Sequence, residues 1–312
     1  MRDGLDNKLP SWTARVALNE HKLDAEVHDT MHWTSSSHRN PHTPYAVDNA
    51  DWLKTAAIIS VSVGHFGYFF IEDDRWWSVV GRLAAPTFFF LMGYAQTRTV
   101  PLRWIWLGVI LTLLESWNAK WTWVAPNILL SLVLIRIVRP YVQILLQRHG
   151  WAAFALLVSA LLTVLSIAGE IVDYGSEGWL WALFGLCQRM YVDSRSATDV
   201  DGPAQSSAPP APAMRENASL MRLLACFAAL VAYVWQEQSE YSFPQIQFAV
   251  FIFGIGVWSA SLCLFLRGPS RIQPPEAIAG ALRFIGRHTL EIYAIQLAGS
   301  ELLVKLVPDV AP

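Results

Sequence analysis

Charged residues are scarce in this chain of 312 residues, and the two signs nearly balance. Asp, Glu, Lys and Arg make up 15% of the sequence, against about 25% in a typical soluble domain. Apolar residues make up 54%. So few charges cannot cover the surface of a soluble protein with this much apolar side chain, which predicts a polytopic protein surrounded by membrane lipids. The formal net charge of −2 gives no electrostatic basis for binding nucleic acid, so no such partner is expected.

Cysteine and metal-binding motifs are also sparse. The spacing of Cys187, Cys226 and Cys263 matches no zinc or redox motif, and an odd number of cysteines defines no disulfide framework. His28 and His32 are four residues apart, a spacing that can chelate a metal from one helical face, but no cysteine accompanies them. We therefore expect packing cysteines, solvated histidines and no bound metal. No signal peptide is expected, because the charged start is not followed by an apolar core.

Long apolar runs follow a hydrophilic beginning. Residues 1–50 mix basic and acidic side chains and predict a flexible cytoplasmic tail, and the apolar runs of residues 51–312 predict a transmembrane domain. Within that domain, residues 193–218 are rich in Ser, Ala and Pro without periodicity, which predicts a disordered cytoplasmic linker. Apolar runs of about 17 to 25 residues, long enough to cross a bilayer as helices, predict an all-α bundle of about nine spans. The predicted spans are 52–71, 76–97, 101–118, 124–145, 151–172, 176–192, 217–236, 245–267 and 284–307.

The charges between these runs predict their orientation. Basic residues concentrate in alternate connections, and the intervening connections are acidic or carry a single lysine. Because basic loops mark the cytoplasmic side, the amino terminus is expected inside and the carboxyl terminus outside. The basic connections contain Arg98 and Arg103; Arg136, Arg139 and Arg148; Arg189, Arg195, Arg215 and Arg222; and Arg267, Arg271 and Arg283.

Function is expected where ionisable side chains enter the apolar runs, because burying them is costly without a purpose or partner. His65 lies in the outer third of the first predicted span, where a neutral imidazole can accept a proton; the alternative is a packing histidine. Arg82 lies at about the same depth and suits a carboxylate, phosphate or oxyanion, unless it snorkels to the interface. Glu115 ends the third span on that side, where it can orient His65, pair with Arg82 or remain solvated.

A basic cluster begins the last predicted span on the cytoplasmic side. Arg283, Arg287 and His288 can hold the phosphates of a nucleotide-like donor, or can simply anchor the helix at the inner interface. Arg287 and Glu291 are four residues apart, so one helix would pair them.

Two blocks of this sequence resemble the TraX family, which is named for a conjugal-transfer protein that acetylates the amino terminus of pilin. The first block contains DWLK at 51–54, GHFGY at 64–68 and GRLAAPTF at 81–88. The second, GRHTLEIY at 286–293, is also similar to the closing helix of the wider membrane acyltransferase-three group. Gly64 differs from the acidic residue usual in the family before the histidine, and Gln296 lies near a position that is often histidine in the wider group.

The resemblance implies a multi-pass enzyme of the bacterial inner membrane that moves acetyl from acetyl-coenzyme A (acetyl-CoA) to an amine or hydroxyl acceptor. That acceptor would be a protein amino terminus, a glycan or a lipid. His65 would be the catalytic histidine, with Arg82 as its companion and Glu115 replacing the missing acidic neighbour. Coenzyme A would bind from the cytoplasm near the basic cluster. Two other classes remain open: a transporter with a proton relay through His65 and Glu115, and a catalytically inactive assembly scaffold.

Overall fold

The computed structural model describes residues 46–71, 75–97, 99–120, 124–199 and 212–306. These residues form a helical bundle without a β-strand, as predicted, and their one isolated β-bridge joins Asp48 to Pro269. The helices, numbered here in chain order, are α1 Asn49–Phe70, α2 Trp76–Gly81, α3 Ala84–Tyr94, α4 Leu102–Asn118, α5 Ile128–Thr163, α6 Leu165–Ile171, α7 Gly175–Asp199, α8 Pro212–Tyr241, α9 Gln245–Cys263, α10 Glu276–Arg287 and α11 Thr289–Leu306.

Four of the described helices are long and apolar enough to cross a bilayer. They are α1, α5, α9 and the part of α8 over Asn217–Tyr241. This supports a membrane protein, whereas the count of nine spans and the inside–outside orientation remain predictions. Residues 1–45 of the predicted tail lie outside the described residues, as do residues 200–211 of the predicted linker. The two ends of that linker belong to helices, because α7 continues to Asp199 and α8 begins at Pro212.

Three predicted spans are each divided between two helices, and one of them, 151–172, breaks at Val164 between α5 and α6. The run 76–97 breaks at Arg82 and Leu83, where the N–H of Leu83 donates to the carbonyl of Val80 in a 3₁₀-type turn (3.2 Å). The run 284–307 breaks at His288, which leaves helical geometry at φ −110° and ψ 22°. By contrast, the break predicted between 145 and 151 is present inside α5, because Gly150 has the left-handed φ of 52° that glycine tolerates.

The folded domain begins before residue 51, where the sequence placed its boundary. Asp48 caps α1 in a reciprocal arrangement: its side chain accepts from the Ala50 N–H, and the Asp51 side chain accepts from the Asp48 N–H. Val47 is fully buried in a small cluster with Ala279 and Leu282 of α10. The last residues assigned to the tail are therefore part of the bundle.

Helices α3 and α7 pack closely at the centre of the bundle. A side chain at Gly93 would place its Cβ only 1.8 Å from the Ala182 carbonyl oxygen, and one at Gly185 only 2.0 Å from the Phe90 carbonyl oxygen. Small residues allow this approach of the two backbones. The contact holds the start of α3, and therefore Arg82, beside the first turns of α7.

Helix α1 connects the two ends of the bundle that matter for function. Near its start, the Lys54 ammonium donates to the Gly286 carbonyl of α10 (2.8 Å). The Asp51 carboxylate packs against the same glycine, in the space that a side chain at Gly286 would need. His65 lies fourteen residues after Asp51, which is about 21 Å along a helix. The end of the bundle with α10 is called the basic end below, and the end with His65 the cavity end.

Candidate active site

A cavity of about 710 Å³ opens at the cavity end, and His65, Arg82 and Glu115 all line it. These three side chains come from α1, from the turn between α2 and α3, and from α4. The sequence therefore identified three residues that the fold brings to one cavity. It proposed no site role for the other polar residues of the wall, which are Tyr68, Ser78, Asn118, Asn127, Asp173, Tyr174, Glu240, Tyr241, Tyr293 and Glu301.

His65 sits in the last turns of α1 among aromatic rings. Its ring centroid is 5.6 Å from that of Tyr293 and 6.2 Å from that of Phe69. Its buried Nδ1 has no hydrogen-bond partner among the described residues. Through Nδ1, therefore, no carboxylate of the described residues fixes the tautomer of this imidazole.

The glycine before the histidine has a structural explanation. A Cβ at Gly64 would lie 2.6 Å from the Cα of Gly81, so the backbones of α1 and α2 touch at this point. The acidic side chain that the family usually has here would not fit without separating the two helices. Gln296 is also engaged in the packing, since its Oε1 accepts from the Ser62 hydroxyl (2.9 Å).

Arg82 is held by protein groups on several sides. Its Nε is 3.3 Å from the Glu237 carboxylate and its Nη2 is 3.5 Å from that of Glu240. Its Nη1 donates to the Tyr174 hydroxyl (2.8 Å), and the Tyr241 ring lies 4.4 Å from the guanidinium carbon. The guanidinium is thus fixed by ion pairs and a cation–π contact rather than extended towards the interface.

The carboxylates that pair with Arg82 were missed as site residues. The sequence presented Glu237 and Glu240 as part of an acidic outer connection, yet both belong to α8. The Glu237 side chain is only 4% exposed, against 54% for Glu240. Glu237 stands in the polar stretch of residues 236–240 at the end of α8, so its sequence context does not indicate that this carboxylate is buried.

Glu115 contacts neither of its two predicted partners. Its carboxylate accepts a hydrogen bond from the Asn127 side-chain amide (2.7 Å). Asn127 in turn caps α5, because its side-chain oxygen accepts from the Leu129 N–H (3.2 Å). The expectation that Glu115 orients His65 or pairs with Arg82 is therefore wrong. The donor to the Glu115 carboxylate is the side-chain amide of Asn127, the residue that caps α5, and the carboxylates that pair with Arg82 are those of Glu237 and Glu240.

The short connection between α6 and α7 adds Asp173 and Tyr174 to the wall. The Asp173 carboxylate accepts from the N–H of Ile128 at the start of α5 (3.1 Å), and Tyr174 adopts a left-handed φ of 56°. Burial raises the pKa of Asp173 to about 6, although the nearby positive charge of Arg82 opposes the shift. The wall thus contains a carboxyl group that changes charge close to neutral pH.

The predicted coenzyme A residues lie away from this cavity, at the basic end. Arg283 and Arg287 belong to α10, and His288 follows as its C-cap with its ring 4.8 Å from that of Phe284. Glu291 pairs with Arg103 of α4 at 2.8 Å, so the predicted pair with Arg287 is wrong. The break at His288 places Arg287 and Glu291 on separate helices, which removes the spacing of one continuous helix.

Comparisons with known proteins identify a family and an uncharacterized relative. The uncharacterized protein RP591 of Rickettsia prowazekii is 28% identical to this chain over 126 residues, which are 40% of this chain and 50% of that protein. The chain therefore matches half the length of this relative. No solved structure matches the chain. The model of the TraX protein family matches residues 49–254, a region that includes His65, Arg82, Glu115 and Glu237, and the chain therefore belongs to the TraX family.

Proposed function

We propose that this chain is an integral inner-membrane acetyltransferase that moves an acetyl group from acetyl-CoA to an amine or hydroxyl acceptor at the cavity end. The acceptor would be an amino terminus resembling that of pilin, or an envelope glycan. One observation carries the proposal: His65, Arg82 and Glu115, from three separate segments, line one cavity. Family membership supports it, because the TraX family is named for a pilin acetyltransferase.

His65 would act as the general base. Its imidazole accepts the proton of the acceptor amine or hydroxyl as the freed electron pair attacks the thioester carbonyl carbon. When the tetrahedral intermediate collapses, the carbon–sulfur bond breaks, and the imidazolium returns its proton to the departing thiolate. The buried Nδ1 has no hydrogen-bond partner among the described residues, so no described contact prevents Nδ1 from carrying the proton while the other ring nitrogen acts as the base.

Arg82 would stabilise the oxyanion of that intermediate. A guanidinium has five N–H donors. The Tyr174 hydroxyl and the Glu240 carboxylate each accept from one of them, and one of the remaining N–H groups would donate to the developing negative charge. Because the ion pairs fix the group in advance, little reorganisation is needed when the charge forms. Glu115 would act less directly, by fixing Asn127 in the cavity wall.

The acetyl donor would approach from the basic end. We propose that Arg283, Arg287 and His288 bind the phosphates of coenzyme A, and that the pantetheine arm lies along α1 inside the bundle. The arm would have to cover about 21 Å of that helix, which exceeds half of the roughly 30 Å bilayer core. Donor binding at the basic end and reaction at His65 therefore need separate tests.

The reaction is tested with purified protein in detergent, radiolabelled acetyl-CoA, and either a peptide with a free amino terminus or a sugar alcohol as acceptor. Wild type should transfer label to one acceptor, and His65→Ala should fold normally and transfer none. His149→Ala, at an exposed position of α5 away from the cavity, is the matched control and should behave as wild type. Equal transfer by wild type and His65→Ala would refute the assignment. Solute binding without any effect of coenzyme A would instead favour a transporter.

Donor binding is tested by equilibrium binding of coenzyme A. Arg283→Gln and Arg287→Gln should each weaken it, whereas Arg271→Gln should not. Arg271 is an exposed residue of the connection that precedes α10, so it controls for nonspecific positive charge. Equal losses in all three variants would show that charge alone attracts the ligand, and unchanged binding in Arg283→Gln and Arg287→Gln would remove the proposed phosphate site.

A further inference from the structure

Tyr174 lines the cavity, and its hydroxyl lies beside the Arg82 guanidinium. The hydroxyl oxygen accepts a hydrogen bond from Arg82 Nη1, with 2.8 Å between the two atoms. A phenol hydroxyl can accept and donate at the same time, and within the described ranges no residue accepts from this O–H. The contact with Arg82 therefore orients the hydroxyl and leaves its proton available to a ligand in the cavity.

Tyr174 also keeps an unfavourable backbone conformation. Three described residues other than glycine have a positive φ, and Tyr174, at 56°, is the one that lines the cavity. Hydrogen bonds of the preceding residue hold the chain there: the Asp173 N–H donates to the Pro126 carbonyl (3.2 Å), and the Asp173 carbonyl accepts from the Ser131 hydroxyl (3.0 Å). Strained residues that are enforced by surrounding contacts cluster at active sites and ligand sites. The strain therefore supports a functional role for the direction of this side chain.

We infer that the Tyr174 hydroxyl is a second donor to the oxyanion of acetyl transfer, beside Arg82; this role rests on the proposed acetyltransferase function. One N–H of Arg82 Nη1 is directed to Tyr174, and the other N–H of the same nitrogen is adjacent to the Tyr174 O–H. Because the nitrogen and the oxygen are 2.8 Å apart, one thioester carbonyl oxygen can lie within hydrogen-bond distance of both.

The two donors would act at the moment when the acceptor attacks. The new bond forms at the thioester carbonyl carbon, and the π electrons of the carbonyl group move to its oxygen. The Tyr174 O–H and the Arg82 N–H donate to that oxyanion, as tyrosine hydroxyls do in other oxyanion holes. The phenol keeps its proton throughout, so the proton transfers through His65 are unchanged.

The first test removes the hydroxyl and keeps the ring. In Tyr174→Phe, kcat should fall about 100-fold, as on loss of an oxyanion donor, with little change in the KM for acetyl-CoA, because the oxyanion forms only after attack. Tyr141→Phe, at a position 70% exposed on α5 and away from the cavity, should behave as wild type. Full kcat in Tyr174→Phe would refute the role of the hydroxyl and leave the proposed function intact. Absence of transfer by wild type would overturn both.

A second measurement separates donation to the oxyanion from simple support of Arg82. A trifluorinated tyrosine placed at position 174 ionises at a lower pH than tyrosine, and ¹⁹F NMR follows that ionisation. Its phenolate still accepts from Arg82, and more strongly because of its charge, but it has no O–H to donate. We expect kcat to fall as this phenol ionises, over a pH range in which wild type keeps its activity. A kcat that follows wild type through the ionisation would show that the hydroxyl only supports Arg82, and this test decides the question if Tyr174→Phe does not fold.

Discussion

The buried ion pair between Arg82 and Glu237 provides a quantitative test of the site. Removing one member of a well-buried pair costs about 3 to 5 kcal/mol, because the other charge is left uncompensated. The Arg82 side chain is 21% exposed and that of Glu237 only 4%, so the lower limit applies. We expect Glu237→Gln and Arg82→Met each to lower the free energy of unfolding by about 3 kcal/mol.

The same arginine offers a matched control. Glu240 also contacts Arg82, but its side chain is 54% exposed, and exposed pairs contribute only about 0 to 1 kcal/mol. Glu240→Gln should therefore have a small effect. In the double variant Arg82→Met, Glu237→Gln, the total loss should fall short of the sum of the single losses by about 2 kcal/mol, which is the coupling energy of the pair.

The assay is equilibrium unfolding of the purified protein in mixed micelles with increasing SDS, followed by tryptophan fluorescence and helical circular dichroism. Coinciding transitions from the two probes would justify the free-energy comparison. Additive losses in the double variant would refute the description of Arg82 and Glu237 as a coupled buried pair. An effect of Glu240→Gln as large as that of Glu237→Gln would refute the role assigned to burial.

Two further predictions concern pH and packing. The folded pKa of Asp173, about 6, lies above its ordinary value of 3.8, so its ionised form destabilises the fold at neutral pH, and the penalty declines as pH falls through 6. Lowering the pH from 7.5 to 4.5 should therefore stabilise wild type relative to Asp173→Asn by about 2 kcal/mol, and a pH-independent difference in unfolding free energy would contradict this. A Cβ at Gly93 would meet the Ala182 carbonyl at 1.8 Å, whereas one at Gly256 meets no atom within 4 Å. Gly93→Ala should thus destabilise the fold by about 2 kcal/mol and Gly256→Ala should not; equal melting temperatures for the two variants would rule out the close helix contact.

The sequence could predict that His65, Arg82 and Glu115 lie close together, because this depends on how far along its helix each residue lies. Apolar runs define where each helix begins and ends, and the alternating charges of the connections define which ends share a side. Three ionisable residues near the same ends of successive runs must then lie at a similar level. In the structure, all three line one cavity.

The partners of these residues could not be predicted, because they depend on how each helix is rotated about its axis. Hydropathy gives that rotation only weakly when the helix is apolar on every side. Backbone contacts such as Gly64 on Gly81 determine which side of α1 faces α2. Arg82 pairs with Glu237, 155 positions later in the chain, and Glu115 binds Asn127 across the connection between α4 and α5.

The same limit explains the error at Arg287 and Glu291. Their spacing predicts an ion pair only if one helix continues through both residues. The chain leaves helical geometry at His288, and Glu291 pairs with Arg103 instead. An apolar run shows that a segment is buried or spans a membrane, but a short interruption within it leaves little trace in the composition.

The most direct test of the account measures acetyl transfer across sealed vesicles that contain the purified protein in one orientation. Labelled acetyl-CoA is supplied only on the side of the basic end and the acceptor only on the side of the cavity end, with wild type, His65→Ala and His149→Ala compared at equal protein. The account predicts labelled acceptor from wild type and His149→Ala, and none from His65→Ala. Labelled acceptor formed equally by His65→Ala, or absent from all three while each protein is folded and binds coenzyme A, would contradict it.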